Sequence, residues 1–389
     1  MALVTDVDSG RNATTEEVLP RRWSNFNDEG LEVFLVGRRY AHHATHSGYE
    51  GFSRYLGRQL APPVAFRSLY FRWFPLLGWR IDQTIAKIMR RRCYSLALLL
   101  TELGAAKHLT THRNAVYHVL YGDTGLTVLG RIGRLLRVPV VATFHEPIVA
   151  IEWLRIDRAL LRTLDAVVLV SESQRAYFAG KIDNARIHVV PHGVDTEFFC
   201  PDAEPVEPQV VTVGSHFRDF ETLSAAIDLV LKARPEVRFI AVGARNDHES
   251  GAFQHPRVQF VDGIDDEGLL DLYRRSQAAV FSFKESTANN SVLEAMATGV
   301  PVLCTAVGGT REYLGDAGLL CPPREPTALA ESLLRVLGDR ALARALGARA
   351  RERASEFDYR RVADLHRAVY ARVIQGRVAG PSPVRRSAA

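Results

Sequence analysis

The ten residues Glu285-Ser-Thr-Ala-Asn-Asn-Ser-Val-Leu-Glu294 put two carboxylates, three hydroxyls and two amides on one short stretch. Thr287-Ala-Asn-Asn290 runs into a helix N-terminus, where unpaired N–H groups can approach sugar or phosphate oxygens without a metal. The same residues have plainer uses. Asn289 and Asn290 suit turn and cap positions, and Ser291-Val-Leu-Glu294 has the spacing of a capping box, with Glu294 bonding back to the Ser291 N–H. Arg218, in Val213-Gly-Ser-His-Phe-Arg-Asp-Phe-Glu221, stands before a helix with His216 close by. It either meets an anionic ligand or pairs with Asp219 or Glu221. His42, His43 and His46 raise a metal reading, but HHxxH lacks the acid of a zincin and no cysteine lies near, so no metal is expected. Neither a Ser/His/Asp nucleophile elbow, a kinase-type loop nor a Walker A segment is present.

Positioning such groups takes a large scaffold. At roughly 150 residues per domain, 389 residues imply two or three domains with a sizeable core. A chain 47% hydrophobic and 24% charged is an ordinary globular protein, neither disordered nor fibrous. The acidic start lacks an apolar signal core, and Cys93, Cys200, Cys304 and Cys321 form no CxxC, which points to a reducing cytoplasm. Apolar runs such as Leu96 to Leu100 fall short of the about 18 residues a membrane span requires.

Apolar runs alternate with helix-like segments twice, the pattern of two α/β units with parallel sheets. The first half offers strands at Leu31 to Val36, Ala115 to Leu120, Pro139 to Thr143 and Ala166 to Val170. Pro201 to Pro208 holds three prolines and three acids and reads as a linker. Strands follow at Gln209 to Val213, Val237 to Val242, Val258 to Val261, Ala278 to Ser282 and Pro301 to Thr305, then helices from Thr327 to Ile374. The expected division is a polar extension (1–30), a first Rossmann-like domain (31–200), the linker (201–208) and a second Rossmann-like domain (209–356). A C-terminal helix (357–375) packing back on the first domain and a flexible tail (376–389) complete it. Two doubly wound units facing each other set their strand ends around one cleft, where a phosphorylated ligand is the physical default.

The segment Phe281 to Gly309 reads strand, polar loop, helix, strand and Val-Gly-Gly turn, with Leu293-Glu-Ala-Met-Ala-Thr-Gly-Val-Pro-Val302 inside it. Supporting pieces are Thr143-Phe-His-Glu-Pro147, Val170-Ser-Glu-Ser-Gln-Arg175, Val190-Pro-His-Gly-Val-Asp195, and Val261-Asp-Gly-Ile264 before Leu270-Asp-Leu-Tyr273. On these residues the chain resembles the retaining GT-B glycosyltransferases of family 4, from residue 31 to about 372.

The resemblance implies roles for particular residues. Glu294 would take the ribose hydroxyls of a nucleotide-sugar, its two oxygens suiting a vicinal diol. Relatives have seven residues between their two glutamates, whereas eight lie between Glu285 and Glu294; Ser286 therefore occupies the first-acid place, and Glu285 would reach the sugar only through a one-residue bulge. Thr287, Ala288, Asn289 and Asn290 would line the sugar and phosphates. After the first strand of the second domain relatives carry an Arg and a Lys; here Gly214 is followed by Ser215, leaving Arg218 as phosphate ligand. His145 would contact the donor sugar, its neutral ring able to donate one hydrogen bond and accept another. Gly263 and Ile264 would hold the base. Ser47 and Gly48, in Thr45-His-Ser-Gly-Tyr-Glu50, would touch donor phosphates or acceptor.

The implied function is that of a hexosyltransferase: a sugar moves with retention from a UDP- or GDP-linked donor to a saccharide or lipid-linked acceptor, without cofactor or metal. The competing classes are a non-catalytic GT-B nucleotide- or partner-binding protein and a GT-B epimerase or phosphorylase. Net charge is +5, but Arg54 to Arg113 carries eleven Lys or Arg against Asp82 and Glu102, interleaved with Phe66, Tyr70, Phe71, Trp73, Phe74 and Trp79. Such a surface fits the anionic inner face of the cell membrane; as a solvated helix face over core aromatics it does nothing further. Nucleic acid is not an expected partner, since no recognition module accompanies the basic stretch.

Overall fold

Strand runs that are apolar at every position must be covered on both faces. The computed structural model describes residues 32–37, 45–56, 58–60, 75–156, 158–202, 207–244, 253 and 255–378. It meets that demand with two six-stranded parallel sheets. The first contains β1 (Glu32–Val36), β2 (Arg58–Leu60), β3 (Ala115–Val119), β4 (Val140–Phe144), β5 (Ala166–Leu169) and β6 (Ile187–Val189), ordered β2-β1-β3-β4-β5-β6. The second contains β7 (Glu207–Val213), β8 (Arg238–Val242), β9 (Val258–Val261), β10 (Ser276–Phe281), β11 (Val302–Thr305) and β12 (Leu319–Cys321), ordered β12-β11-β10-β7-β8-β9.

Alternate residues feed separate cores. Phe34, Tyr117, Ala142 and Leu169 face helices Leu96–Thr111 and Leu129–Leu136, whereas Leu35, Val116, Val141 and Val168 face the 3₁₀ helix Tyr49–Tyr55. The second of these cores is completed from the far end of the chain, by Val362, Ala363, Val369 and Tyr370 of helix Tyr359–Val378. In the second sheet Val211, Ile240, Ala279 and Val302 serve one core, and Val210, Phe239, Val280 and Leu303 the other. Each sheet reverses its strand order once, between β1 and β3 and between β7 and β10. Ligands of open α/β sheets bind in the crevice beyond such reversals.

Several boundaries differ from the sequence reading. β2, β6 and β12 have three residues each, too short to show a period. β7 begins at Glu207, inside the expected linker; Pro208 is tolerated because the β7–β10 register shifts beside it. The last helix continues to Val378. Residues 1–31, 38–44, 61–74, 203–206 and 379–389 lie outside the described residues, and with them His42, His43, Phe66, Tyr70, Phe71, Trp73 and Phe74. Among the described residues no helix is long and apolar enough to cross a membrane, and all four cysteines are free.

The chain crosses between the sheets twice, and the crossings lie side by side. Val194 N donates to Phe357 O at 2.9 Å, and Tyr359 N to Val194 O at 3.2 Å. Beneath them, polar groups tie the last helix to the first sheet. His118 Nδ1 lies 2.7 Å from Tyr370 OH and its Nε2 2.7 Å from Thr143 Oγ1, while Tyr49 OH bridges Thr143 Oγ1 and His366 Nε2 at 3.0 Å each.

Burial holds both rings neutral, pushing His118 down to about 3 and His366 well below the usual histidine value. The unfolded chain therefore binds more protons once the pH drops below about 6.5. Stability is full above that pH and declines as the pH falls towards 3. Denaturant midpoints measured from pH 7.5 to pH 4.5 follow this decline, and His118→Gln makes it shallower.

Candidate active site

At the reversal in the second sheet, the loops leaving β7 and β10 are joined to one another. Asp219 N donates to Ser282 O and Lys284 N to Phe217 O, both at 2.8 Å. Gly214 turns the chain at φ 81°, a left-handed value that disfavours a side chain, and an added Cβ would sit 3.1 Å from the Arg218 guanidinium. The Ser215 carbonyl accepts from Arg218 N at 3.0 Å.

Arg218 departs from both expectations. It is neither a surface arginine nor open to the cleft, being 1% exposed. Asp219 caps its own helix through Thr222 instead of pairing with it. The guanidinium lies over the Phe283 ring at 4.3 Å and the Phe281 ring at 5.4 Å, donates to the Val213 carbonyl, and reaches Asn289 Oδ1 at 3.4 Å. Aromatic faces and carbonyl oxygens make this burial tolerable for a weakly hydrated cation. Arg218 thus sits behind the loop that carries Asn289.

That loop is clamped from both sides. Gly309 N donates to Ser286 O at 2.9 Å, and a Cβ at Gly308, itself at φ 48°, would lie 1.8 Å from the same oxygen. Thr287 Oγ1 donates to the His145 carbonyl of the first domain. Ala288 packs against cores of both domains. Asn289 is the N-cap of helix Asn290–Ala297, accepting from Val292 N at 3.3 Å. This overturns the capping box expected at Ser291: the helix starts earlier, and Glu294 lies too deep in it to reach back.

The Glu294 side chain instead turns to hydroxyls. It is 3% exposed, and accepts from Ser47 Oγ at 2.5 Å and from Tyr273 OH at 3.3 Å. Ser47 arrives on the loop before helix Tyr49–Tyr55, where Gly48 has φ 114° and its carbonyl accepts from Tyr359 OH at 2.7 Å. Glu285 is partly buried and makes no hydrogen bond or ion pair among the described residues. Gly263 (φ 71°) follows β9, and Ile264 packs at the edge of the core. Nearby, His46 N donates to Asp266 Oδ2 at 2.7 Å, its Nδ1 lies 2.7 Å from Asp195 Oδ2, and its ring stacks on Phe198 at 3.8 Å. His46 is thus held by carboxylates, and among the described residues no group of three or more His, Cys, Asp or Glu is placed to hold a metal ion.

His145 follows β4 at the edge of the cleft. Its Nε2 is 2.7 Å from the Leu120 carbonyl and its Nδ1 2.8 Å from His192 Nε2. Both ring nitrogens therefore have partners within the protein. Asp123, buried beneath, accepts from His145 N at 2.7 Å, and burial with nearby Glu146 raises its carboxyl to about 7. Further contacts close the cleft: Glu312 accepts from Ser171 Oγ at 2.7 Å and Glu172 N at 2.9 Å, and Tyr313 OH donates to Val170 O at 2.6 Å.

With this geometry in place, comparison with known proteins decides the family. The family model for group 1 glycosyl transferases matches residues 207–339, and that for glycosyltransferase family 4 matches residues 25–198. The chain is a family 4 glycosyltransferase. It is 26% identical over 378 residues to a sulfoquinovosyl transferase of Arabidopsis thaliana, covering 87% of this chain and 67% of that protein. A mannosyltransferase of Mycolicibacterium hassiacum is 25% identical over 285 residues, 64% of this chain and 68% of its own length. Among solved structures, a sucrose-phosphate synthase from Thermosynechococcus elongatus superposes with a TM-score of 0.66 at 20% identity, over 88% of this chain and 99% of that one. The Anabaena protein HepE, solved in complex with UDP-glucose, gives 0.62 at 17% identity, over 88% and 100%. These structures share the GT-B fold, two facing α/β domains, with this glycosyltransferase. As a member of the family it is a sugar-transferring enzyme.

The sequence reading found the loop 285–294 but not all its partners. Tyr273, Ser171 and His192 lie inside quoted motifs without a role, and Glu312 and Tyr313 lie just beyond the Val-Gly-Gly turn. Their contacts link residues far apart in sequence, which no local spacing reveals.

Gly308→Ala tests the clamp. Its methyl group would meet the Ser286 carbonyl, so the loop must move. Sugar transfer should fall about 100-fold, as for other small displacements in active sites, while the thermal midpoint shifts by a few degrees at most.

Proposed function

We propose that this glycosyltransferase moves a hexose from a UDP- or GDP-linked donor to a saccharide or lipid-linked acceptor, with retention of anomeric configuration and without a metal ion. The observation that carries this reading is the buried Glu294 carboxylate accepting from Ser47 and Tyr273. A carboxylate withdrawn from water and already matched to hydroxyl donors is suited to a ribose diol. The UDP-glucose in the HepE structure supports the donor class.

The diphosphate would lie against the N-terminus of helix Asn290–Ala297, whose N–H groups and buried neighbour Arg218 supply positive potential. In the transfer step the bond from the anomeric carbon to the phosphate oxygen breaks as the bond to the acceptor oxygen forms. The acceptor proton passes to the departing phosphate on the same face. The interdomain contacts at Thr287 and Glu312 would keep water from the activated sugar. Gly263 and Ile264 remain the proposed seat of the base.

Glu294→Gln tests the donor assignment. A hydrogen bond to a charged group contributes about 1.5–3 kcal/mol, so donor affinity measured by calorimetry should weaken about 10- to 100-fold. Wild-type affinity in a folded variant would remove Glu294 from the donor site.

A membrane-surface acceptor is favoured by one further observation. On helix Pro75–Ile88, Trp79 is 51% and Ile88 69% exposed, and the exposed Arg80 and Lys87 lie between them around the helix. Apolar and cationic groups together suit an anionic leaflet, at about 1 kcal/mol per well-placed cation. Arg80→Glu with Lys87→Glu should reduce co-sedimentation with phosphatidylserine-containing vesicles, and added salt should do the same to the parent. Indifference to both counts against a membrane role for this helix at the inner face of the cell membrane.

A further inference from the structure

His192 is 8% exposed, in the turn that follows β6. Its backbone N–H donates to Tyr313 OH at 2.8 Å, and its ring joins two elements of the proposed transfer site. On one side Nε2 lies 2.8 Å from His145 Nδ1; on the other Nδ1 lies 3.0 Å from Asn290 Oδ1. The Leu120 carbonyl can only accept, so His145 Nε2 carries a proton, and a further proton is shared between His145 Nδ1 and His192 Nε2. Tyr49 packs its ring against both imidazoles, with centroids at 4.4 and 4.9 Å. Asn290 opens the helix whose next turn bears Glu294.

We propose that His192 is a positioning residue for sugar transfer, fixing the plane of the His145 ring through its Nδ1 and tying that ring to the helix that carries Glu294. The proposal rests on reading this cleft as the transfer site. His192 touches no reacting atom in this account; it acts through His145 and Asn290.

Three substitutions separate its two contacts. His192→Gln places an amide nitrogen where Nε2 stood, His192→Asn places one where Nδ1 stood, and His192→Phe supplies neither. If the His145 contact matters, His192→Gln keeps kcat within about threefold, while His192→Asn and His192→Phe lose about 100-fold in kcat with KM for the nucleotide-sugar unchanged. Between the two amides alone, Gln above Asn supports the assignment, and Asn equal to or above Gln overturns it, whatever His192→Phe does to folding.

A substrate-free readout accompanies the kinetics. The ¹⁵N shift of His145 Nδ1 should report a hydrogen-bonded nitrogen in the parent and in His192→Gln, and one without that bond in His192→Phe. A ring signature that His192→Phe leaves unaltered overturns the proposal. Failure to turn over any nucleotide-sugar would instead count against the transfer reading, since the ring signature is measured without one.

Discussion

A carboxylate removed from water must find donors, and Glu294 finds them in two hydroxyls that reach it from opposite directions. Tyr273 belongs to the same domain, on helix Asp266–Arg275, but Ser47 comes from the loop after β1 in the other. Satisfying one side chain therefore draws the first domain down onto the second. Other contacts pull the same way, with Thr287 on the His145 carbonyl, Glu312 on Ser171 and the Glu172 N–H, and Tyr313 on Val170. All come from loops and helix starts at strand ends, where backbone groups are left over by the sheets.

The arrangement of positive charge is unusual for what the sequence resembles. Ser215 stands in place of the family's arginine, and the cation at Arg218 is withdrawn behind aromatic rings. From there it contacts Asn289, the cap of the helix that faces the cleft. A guanidinium in such a place adds its field to the helix end and is held with little mobility.

Much of this was legible in the chain. Apolar runs alternating with helix-like segments announced two parallel sheets, and the stretch from Phe281 to Gly309 is a contiguous strand, loop, helix and strand whose residues stay together in space. Edge strands such as Ile187–Val189 were not legible, since three residues show no alternation. The capping box misled because Asn289 and Ser291 are both good caps; Asn289 takes the position, and its amide oxygen also meets Arg218. The burial of Arg218 depends on Phe281 and Phe283 more than sixty residues onward. The ring nitrogens of His145 find partners at Leu120 and His192, likewise beyond any spacing rule.

The helix Tyr359–Val378 lies last in sequence yet completes a core of the first sheet. On the ribosome, β1 and β3 to β5 emerge with one apolar face covered only by the helix Tyr49–Tyr55, and the rest of that face stays open until residues 359–378 have been made. The second sheet can assemble in the meantime. The nascent first half is thus the part most exposed to aggregation and to chaperones until helix Tyr359–Val378 is free to pack on it.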